Sequence, residues 1–141
     1  MKVFIRISII LFSIFMVSSL SFAQPCDPNT REPKEDEVIF FEHINFQGCW
    51  MGAKIGSNYA SLEGSSFSPI CGKNIVWNDT ISSIKIGAKA MVTVYEHAGY
   101  GGRSQTWKGN CKAPLCLRDL RNSNWNDKIS SFKIDRNHDC Y

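Results

Sequence analysis

The chain has 141 residues, which is enough for one domain preceded by a short leader. Its formal net charge at pH 7 is +3, and a value this small provides no basic surface for nucleic acid and no acidic tail. Beyond the N-terminal segment, no apolar run is long enough to span a bilayer.

The N-terminus has the pattern of a secretory signal peptide. Lys2 and Arg6 precede a short run of Ile, Leu, Phe and Val, and the segment closes with Ser21 and Ala23 at the positions that a signal peptidase reads. We therefore expect residues 1–23 to be removed from a protein that is secreted, or periplasmic in a bacterium. The alternative, a retained membrane anchor, is disfavoured because the apolar run is short and Arg6 intrudes near its start.

All of the cysteines follow this segment, and an even number in an exported chain favours disulfide bonds. The sequence does not choose among the pairings. Cys26 and Cys140 could join the two ends, and Cys111 and Cys116 could close a small loop. A zinc site is the alternative, but no C-x-x-C pair is present. The cysteines are Cys26, Cys49, Cys71, Cys111, Cys116 and Cys140.

The remaining chain predicts an all-β domain over residues 38–136. Residues 24–37 are rich in proline and charge, and we interpret them as an extended or mobile lead-in. After them, short β-branched and aromatic runs alternate with glycine, asparagine and serine clusters. No segment has a sustained helical period, although residues 114–121 could form a turn or two of helix. A short tail follows at residues 137–141.

The domain contains an internal duplication. Phe40–Trp50 (FFEHINFQGCW) matches Val94–Ser104 (VYEHAGYGGRS), and Trp77–Ile86 (WNDTISSIKI) matches Trp125–Ile134 (WNDKISSFKI). Each copy has a strand, an aromatic hairpin with glycine, a variable loop, a Trp-Asn-Asp loop and a final strand. A duplicated chain of this kind usually builds two similar units that bury faces against each other.

The final strand of each copy alternates apolar and charged residues. Ile84 and Ile86 flank Lys85, and the second copy has the same arrangement around Lys133. Because side chains alternate across a strand, the apolar pair should face the core and the lysine should face water. Two small antiparallel units would then pack as a sandwich.

This combination of motifs resembles the βγ-crystallin superfamily. The Greek key of that family has an aromatic-x4-aromatic-x-Gly hairpin and a loop of the form [N/D]-[N/D]-x-x-[S/T]-S. Both motifs occur twice here, in the same order, in hairpins 41–48 and 95–102 and in loops 78–83 and 126–131. The resemblance implies two four-stranded Greek keys forming one βγ-crystallin-type β-sandwich, with the first key at about 38–87 and the second at about 91–136.

The resemblance also implies calcium binding, because lens members of the superfamily often lack the complete loop. Calcium takes roughly six to eight oxygen ligands from carboxylates, carbonyls, hydroxyls and water. A loop of Asn, Asp and two Ser offers such oxygens. A simple polar turn is the alternative, since the same residue types form turns. Two matched loops beside two matched Glu-His hairpins favour calcium.

By resemblance, two Ca²⁺ sites are shared between the keys. In each site one loop contributes the carbonyl of its third residue and the hydroxyl of its fifth, the other loop contributes its Asp side chain, and the hairpin contributes a carbonyl. The resemblance further implies that an asparagine braces each loop and that a serine ties down each hairpin. The first site would use Glu42, Thr80, Ser82 and Asp127, the second would use Glu96, Lys128, Ser130 and Asp79, and the bracing residues would be Asn78, Asn126, Ser83 and Ser131.

The ligand set predicts weak to moderate affinity, on the order of 10⁻⁶ to 10⁻³ M, because each site has one charged carboxylate. Lys128 brings a positive charge near its site, whereas the matched Thr80 does not. The sequence therefore predicts that the Lys128 site is the weaker of the two.

Three other features of the sequence have structural explanations. His43 and His97 occupy matched hairpin positions, but loop histidines beside glutamate are typically solvated. Asn78 begins a glycosylation sequon, which we expect to stay unmodified because a glycan would crowd the loop. The tryptophans could form a sugar- or membrane-facing patch, but two of them precede the loops in register, which favours packing. They are Trp50, Trp77, Trp107 and Trp125.

No catalytic sequence motif is present, so we predict a binding protein and not an enzyme. The alternative function on the same fold is a secreted interaction or defence protein, such as a protease inhibitor or a toxin-like effector. Its partner would be an extracellular protein or glycan that the sequence does not identify.

Overall fold

The computed structural model describes residues 26–64, 71 and 74–141. The predicted signal peptide, residues 1–23, lies outside this part of the chain. The described residues form eight β-strands and four short 3-10 helices, with no α-helix among them. None of the helices in this part is long and apolar enough to cross a membrane.

The strands form two four-stranded antiparallel sheets. They are β1 (Glu37–Phe41), β2 (Trp50–Lys54), β3 (Asn58–Tyr59), β4 (Ser83–Ile86), β5 (Ala90–His97), β6 (Gly101–Lys108), β7 (Leu115–Leu117) and β8 (Ser131–Arg136). The 3-10 helices cover Ile44–Phe46, Ala98–Tyr100, Leu120–Ser123 and His138–Cys140. The possible helix at residues 114–121 is instead strand β7 followed by the start of a 3-10 helix.

The strand order shows how the two repeats are joined. The first sheet runs β2-β1-β4-β7 and the second runs β3-β8-β5-β6. Strands β1–β4 come from the first repeat and β5–β8 from the second, so each repeat gives its third strand to the sheet of the other. The predicted all-β fold of two Greek keys in a sandwich is therefore confirmed.

The core lies between the sheets and extends beneath the Trp-Asn-Asp loops. The Phe40 ring of the first sheet stacks on Phe132 of the second, with the centroids 4.4 Å apart. Trp77 and Trp125, the two tryptophans that precede the loops, are buried in this core. Burial of these large rings fixes the loops to the sandwich.

Lys85 in β4 is fully buried, so the prediction that it faces water is wrong. Its ammonium donates hydrogen bonds to Thr30 Oγ1 at 2.7 Å, Arg31 O at 3.1 Å and Glu32 Oε1 at 2.6 Å. Strand alternation does direct Lys85 away from the core, but another segment covers that outer face. The matched Lys133 in β8 is partly exposed.

The covering segment is residues 26–36, here called the N-terminal strap. Cys26 of the strap packs in a second apolar cluster with Ile39, Phe41 and Phe46 on the outer face of the first sheet. The expected extended or mobile lead-in is thus, over residues 26–36, a segment attached to the sandwich. The strap is held by a disulfide and by polar contacts to Lys85, neither of which produces an apolar period in the sequence.

The described cysteines form the disulfides Cys26–Cys116, Cys49–Cys71 and Cys111–Cys140, and none of them is free. The suggested pairings Cys26–Cys140 and Cys111–Cys116 are wrong. Strand β7 places Cys116 directly opposite Lys85, on the face that the strap covers. The C-terminal 3-10 helix instead brings Cys140 to Cys111, which anchors the tail. Paired cysteines leave no thiolate for the alternative zinc site.

Candidate metal site

Each aromatic hairpin turns at a glycine with positive φ, as the motif predicts. Gly48 has φ 78° and Gly102 has φ 76°. A Cβ on Gly48 would lie 2.8 Å from His43 Cδ2, and a Cβ on Gly102 would lie 2.7 Å from His97 Cδ2. Glycine avoids both the strain of this backbone conformation and the contact with the histidine.

A buried serine, the first residue of each final strand, ties the hairpin to that strand. Ser83 Oγ donates to His43 O at 2.6 Å and accepts a hydrogen bond from Phe46 N at 3.1 Å. Ser131 makes the same two bonds in the second repeat, at 2.7 and 3.1 Å. The resemblance implied hydrogen bonds of this kind. They fix the backbone just after Glu42 in the first hairpin and just after Glu96 in the second.

The two Trp-Asn-Asp loops bond to each other across the boundary between the repeats. Asp79 N donates to Ile129 O at 3.1 Å, and Asp127 N donates to Ile81 O at 3.2 Å. Both aspartates have φ 53°, in the left-handed region that Asp tolerates better than most residues. This reciprocal pairing brings the second residue of each loop beside the fifth residue of the other.

In the second predicted site, Ser130 is the common neighbour of two other proposed ligands. Ser130 Oγ lies 2.9 Å from Glu96 O and 3.3 Å from Asp79 Oδ1. The remaining member, Lys128, directs its ammonium to Asn124 Oδ1 at 2.6 Å. A groove of about 490 Å³ opens here, and its lining includes Glu63, Asp79, Glu96, Asp127, Lys128 and Ser130.

The first predicted site repeats the serine–aspartate contact of the second, but Ser82 Oγ makes no hydrogen bond to Glu42 O that would match the one from Ser130 to Glu96. Ser82 Oγ lies 3.3 Å from Asp127 Oδ1, which repeats the contact in the other site. The Glu42 side chain, which is not the predicted ligand, bonds within its own hairpin, where Oε2 accepts a hydrogen bond from Cys49 N at 3.1 Å. Thr80 Oγ1 donates back into its own loop, with Val76 O at 2.9 Å and Asn78 O at 3.0 Å.

The asparagine that opens each loop contacts the aspartate that follows it. Asn78 Nδ2 donates to Asp79 Oδ2 at 2.9 Å, and Asn126 Nδ2 donates to Asp127 Oδ2 at 2.5 Å. The Oδ1 atoms of both asparagines are buried and have no hydrogen-bond partner in the described part of the chain. These two amide oxygens, next to the loop carboxylates, form an arrangement that a cation would stabilise.

The donor chemistry fits a hard cation. In residues 26–64, 71 and 74–141, no group of three or more His, Cys, Asp or Glu side chains could hold a metal, so the histidines form no such cluster. The loops and hairpins instead bring together hydroxyl, carboxylate and main-chain carbonyl oxygens. Such oxygen ligands suit calcium and do not suit zinc or copper, which prefer nitrogen and sulfur.

Glu63 is a groove residue that the motifs did not reveal, because it lies in the variable loop. Leu62 N donates to Ser130 O at 3.0 Å, and in the other repeat Leu120 N donates to Ser82 O at 3.0 Å. This equivalence aligns Glu63 with Arg121. Extending the repeat alignment from the loops to these leucines would have found the residue.

The structure is a β-sandwich of two Greek keys whose Trp-Asn-Asp loops bond to each other and present oxygen atoms. No protein-family model matches the sequence. The solved βγ-crystallin from an Archaea is 30% identical, matches 71% of this chain and 98% of its own, and has a TM-score of 0.52. The chain belongs to the βγ-crystallin superfamily.

Two further relatives agree with this assignment. Spherulin-3A of Physarum polycephalum is 24% identical over 110 residues, which cover 77% of this chain and 91% of the relative. The βγ-crystallin domain of Abundant Perithecial Protein from Neurospora crassa, solved in its Ca²⁺-bound form, is 21% identical. It matches 77% of this chain and 97% of its own, with a TM-score of 0.56.

Proposed function

We propose that this protein is a secreted, non-enzymatic calcium-binding domain that holds two Ca²⁺ ions between its Greek keys. The observation that carries the proposal is the position of Ser130 Oγ, 2.9 Å from Glu96 O and 3.3 Å from Asp79 Oδ1. These oxygens come from a hairpin of the second repeat and from the loops of both repeats. An ion bound among them would link the two halves of the sandwich.

The ligands follow the repeat symmetry. One ion would bind the carbonyl oxygens of two residues, a serine hydroxyl and an aspartate carboxylate, and the second ion would bind the matched set. Glu96, Lys128, Ser130 and Asp79 form one set, and Glu42, Thr80, Ser82 and Asp127 form the other. When bound, each ion supplies positive charge to loops that otherwise gather acceptor oxygens.

Two further observations support the proposal. The fungal relative with the same fold binds Ca²⁺ in its solved structure. The described chain also carries disulfides that link the strap, a variable loop and the tail to the sandwich. Disulfides persist in oxidising compartments, which agrees with export directed by the segment at residues 1–23.

Thermal unfolding in calcium and in excess chelator tests the proposal. An ion that binds only the folded form stabilises it by about 2.7 kcal/mol when free calcium is about a hundredfold above Kd. Each such ion should raise Tm by about 10 °C. Calorimetric titration should give two ions per chain.

The doubly substituted chain Asp79→Asn and Asp127→Asn should lose both the shift in Tm and the binding heat. Asp135→Asn serves as the control, because Asp135 is an exposed aspartate of β8 outside the loops. Equal Tm values in calcium and chelator for the unsubstituted chain would overturn the proposal.

A further inference from the structure

We infer that the two calcium sites are unequal, and that Glu63 makes the site at Ser130 and Asp79 the tighter of the two. This inference rests on the proposed function and identifies a residue outside the ligand set that sets the order of filling. The observations that carry it are the matched positions of Glu63 and Arg121 and their opposite charges.

Matched hydrogen bonds establish that the two positions are equivalent. Glu63 N donates to Ser61 Oγ at 3.2 Å, and Arg121 N donates to Asp119 Oδ1 at 3.0 Å, so both residues lie in the same kind of side-chain-capped turn. The leucine between cap and charge donates its N–H to the loop serine carbonyl in both repeats, at 3.0 Å. The backbone of each charged residue is thus held next to the fifth residue of a proposed calcium loop.

The carboxylate of Glu63 is available to a cation. Glu63 is exposed and lines the same groove as Asp79, Glu96 and Ser130. Within the described residues, its side chain makes no hydrogen bond or ion pair. A divalent ion in this groove would meet the Glu63 charge in addition to that of Asp79, its predicted ligand, and calcium affinity rises with the number of charged ligands around it.

The matched place in the other repeat offers no such charge. The Arg121 guanidinium bonds to both carboxylate oxygens of Asp119, at 2.6 to 3.0 Å. The hydrogen bonds from Arg121 hold the pKa of the Asp119 carboxyl below its ordinary value, so the pair is fully ionised and mutually neutralised. An ion beside Ser82 would therefore gain nothing from this pair.

Lys128 lines the groove as well, but its ammonium bonds to Asn124 Oδ1 at 2.6 Å. Asn124 is not among the described residues that line the groove, whereas Glu63 lines it and makes no such side-chain bond within the described residues. The structure thus favours the opposite ranking to the one that Lys128 alone predicts. By Coulomb's law, a carboxylate about 6 Å from a divalent ion in water changes affinity by about tenfold, and by less at higher salt.

Calcium titration followed by ¹H–¹⁵N NMR tests the inference site by site. The amides of Leu62 and Leu120 bond to the two loop serines, so each amide reports one site. In the unsubstituted chain we expect the Leu62 signal to reach its midpoint at a lower calcium concentration than the Leu120 signal. In Glu63→Gln the Leu62 midpoint should rise about three- to tenfold while the Leu120 midpoint stays unchanged.

Arg121→Gln is the matched control and should leave the Leu62 midpoint in place. Because Glu63 is exposed, Glu63→Gln should also keep the Tm measured in chelator. Coincident midpoints, a reversed order, or a Glu63→Gln chain that titrates like the unsubstituted one would overturn the inference while leaving calcium binding intact. If neither amide responds to calcium, the proposed function itself fails.

Discussion

Lys85 and Glu32 form an ion pair at 2.6 Å between β4 and the N-terminal strap, and the lysine side chain is 0% exposed while the glutamate side chain is 32% exposed. The ammonium also lies 4.7 Å from the centroid of the Phe46 ring. A charge in this position is stable only while the strap supplies its oxygen atoms, because an isolated buried ammonium is costly. The pair therefore couples the strap to the sandwich.

Replacing Glu32 with glutamine should destabilise the protein. Glu32→Gln removes the only carboxylate that bonds to the buried ammonium among the described residues. Breaking a buried pair on one side costs about 3–5 kcal/mol, and we expect about 1–3 kcal/mol here because the glutamate is partly exposed. Chemical denaturation measures the difference.

Lys85→Met should cost less than Glu32→Gln, because methionine fills apolar space without a charge to compensate. Lys133→Met is the matched control, since Lys133 holds the equivalent position on the other sheet and is partly exposed. It should change the free energy of unfolding by about 0.5 kcal/mol or less. A Glu32→Gln chain as stable as the unsubstituted one would contradict the role given to the pair.

Removing the Cys26–Cys116 disulfide should release the strap. These cysteines are 90 residues apart in sequence, against 29 for Cys111–Cys140, so their bond restricts the unfolded chain more. For loops of this size the chain-entropy model predicts a stabilisation of about 4 kcal/mol, with measured values typically lower. The double substitution Cys26→Ser and Cys116→Ser should therefore destabilise more than Cys111→Ser with Cys140→Ser.

Limited proteolysis separates strap release from global unfolding. In the Cys26→Ser, Cys116→Ser chain, cleavage should begin within residues 26–36 under conditions where the sandwich stays intact. Cleavage at the same sites and rates in both double variants would show that the disulfide does not hold the strap.

The repeated motifs were predictable because each meets a short-range requirement. A tightly folded hairpin needs a residue that adopts positive φ, which is Gly48 in one repeat and Gly102 in the other. The strand beside each hairpin needs a hydroxyl that bonds to the hairpin backbone, which Ser83 and Ser131 provide. Requirements of this kind produce the same letters at the same spacing in both repeats. The repeated hairpins and loops are therefore readable from the sequence, and the two Greek keys follow from the family resemblance that these motifs carry.

The covering of the first sheet by the N-terminal strap was not predictable in the same way. Period-two alternation correctly directs Lys85 out of the core, but it carries no information on whether a distant segment covers the outer face. Nor does spacing indicate that β7, exchanged from the second repeat, brings Cys116 opposite Lys85 and under Cys26. The pairing of the cysteines follows from this exchange. Glu63 was missed because its role depends on the fold of a loop whose length differs between the repeats.

Substituting the hairpin glycines should separate steric conflict from backbone strain. At Gly48 and Gly102 an added Cβ meets a histidine Cδ2 at 2.8 and 2.7 Å, and both positions have positive φ. Gly56 also has positive φ, at 90°, but a Cβ there meets nothing within 4 Å. Gly56→Ala therefore adds strain alone, with an expected cost of about 1 kcal/mol.

Gly48→Ala and Gly102→Ala should each cost more, about 2–3 kcal/mol, because the histidine must also move away from the hairpin. Guanidinium denaturation in excess chelator gives these values without any contribution from calcium. If the proposed sites are correct, a displaced hairpin also shifts the carbonyl of Glu42 or Glu96, so each variant should lose calcium affinity at one site while Gly56→Ala retains both. Equal losses of stability in all three variants would show that strain alone selects glycine in the hairpins.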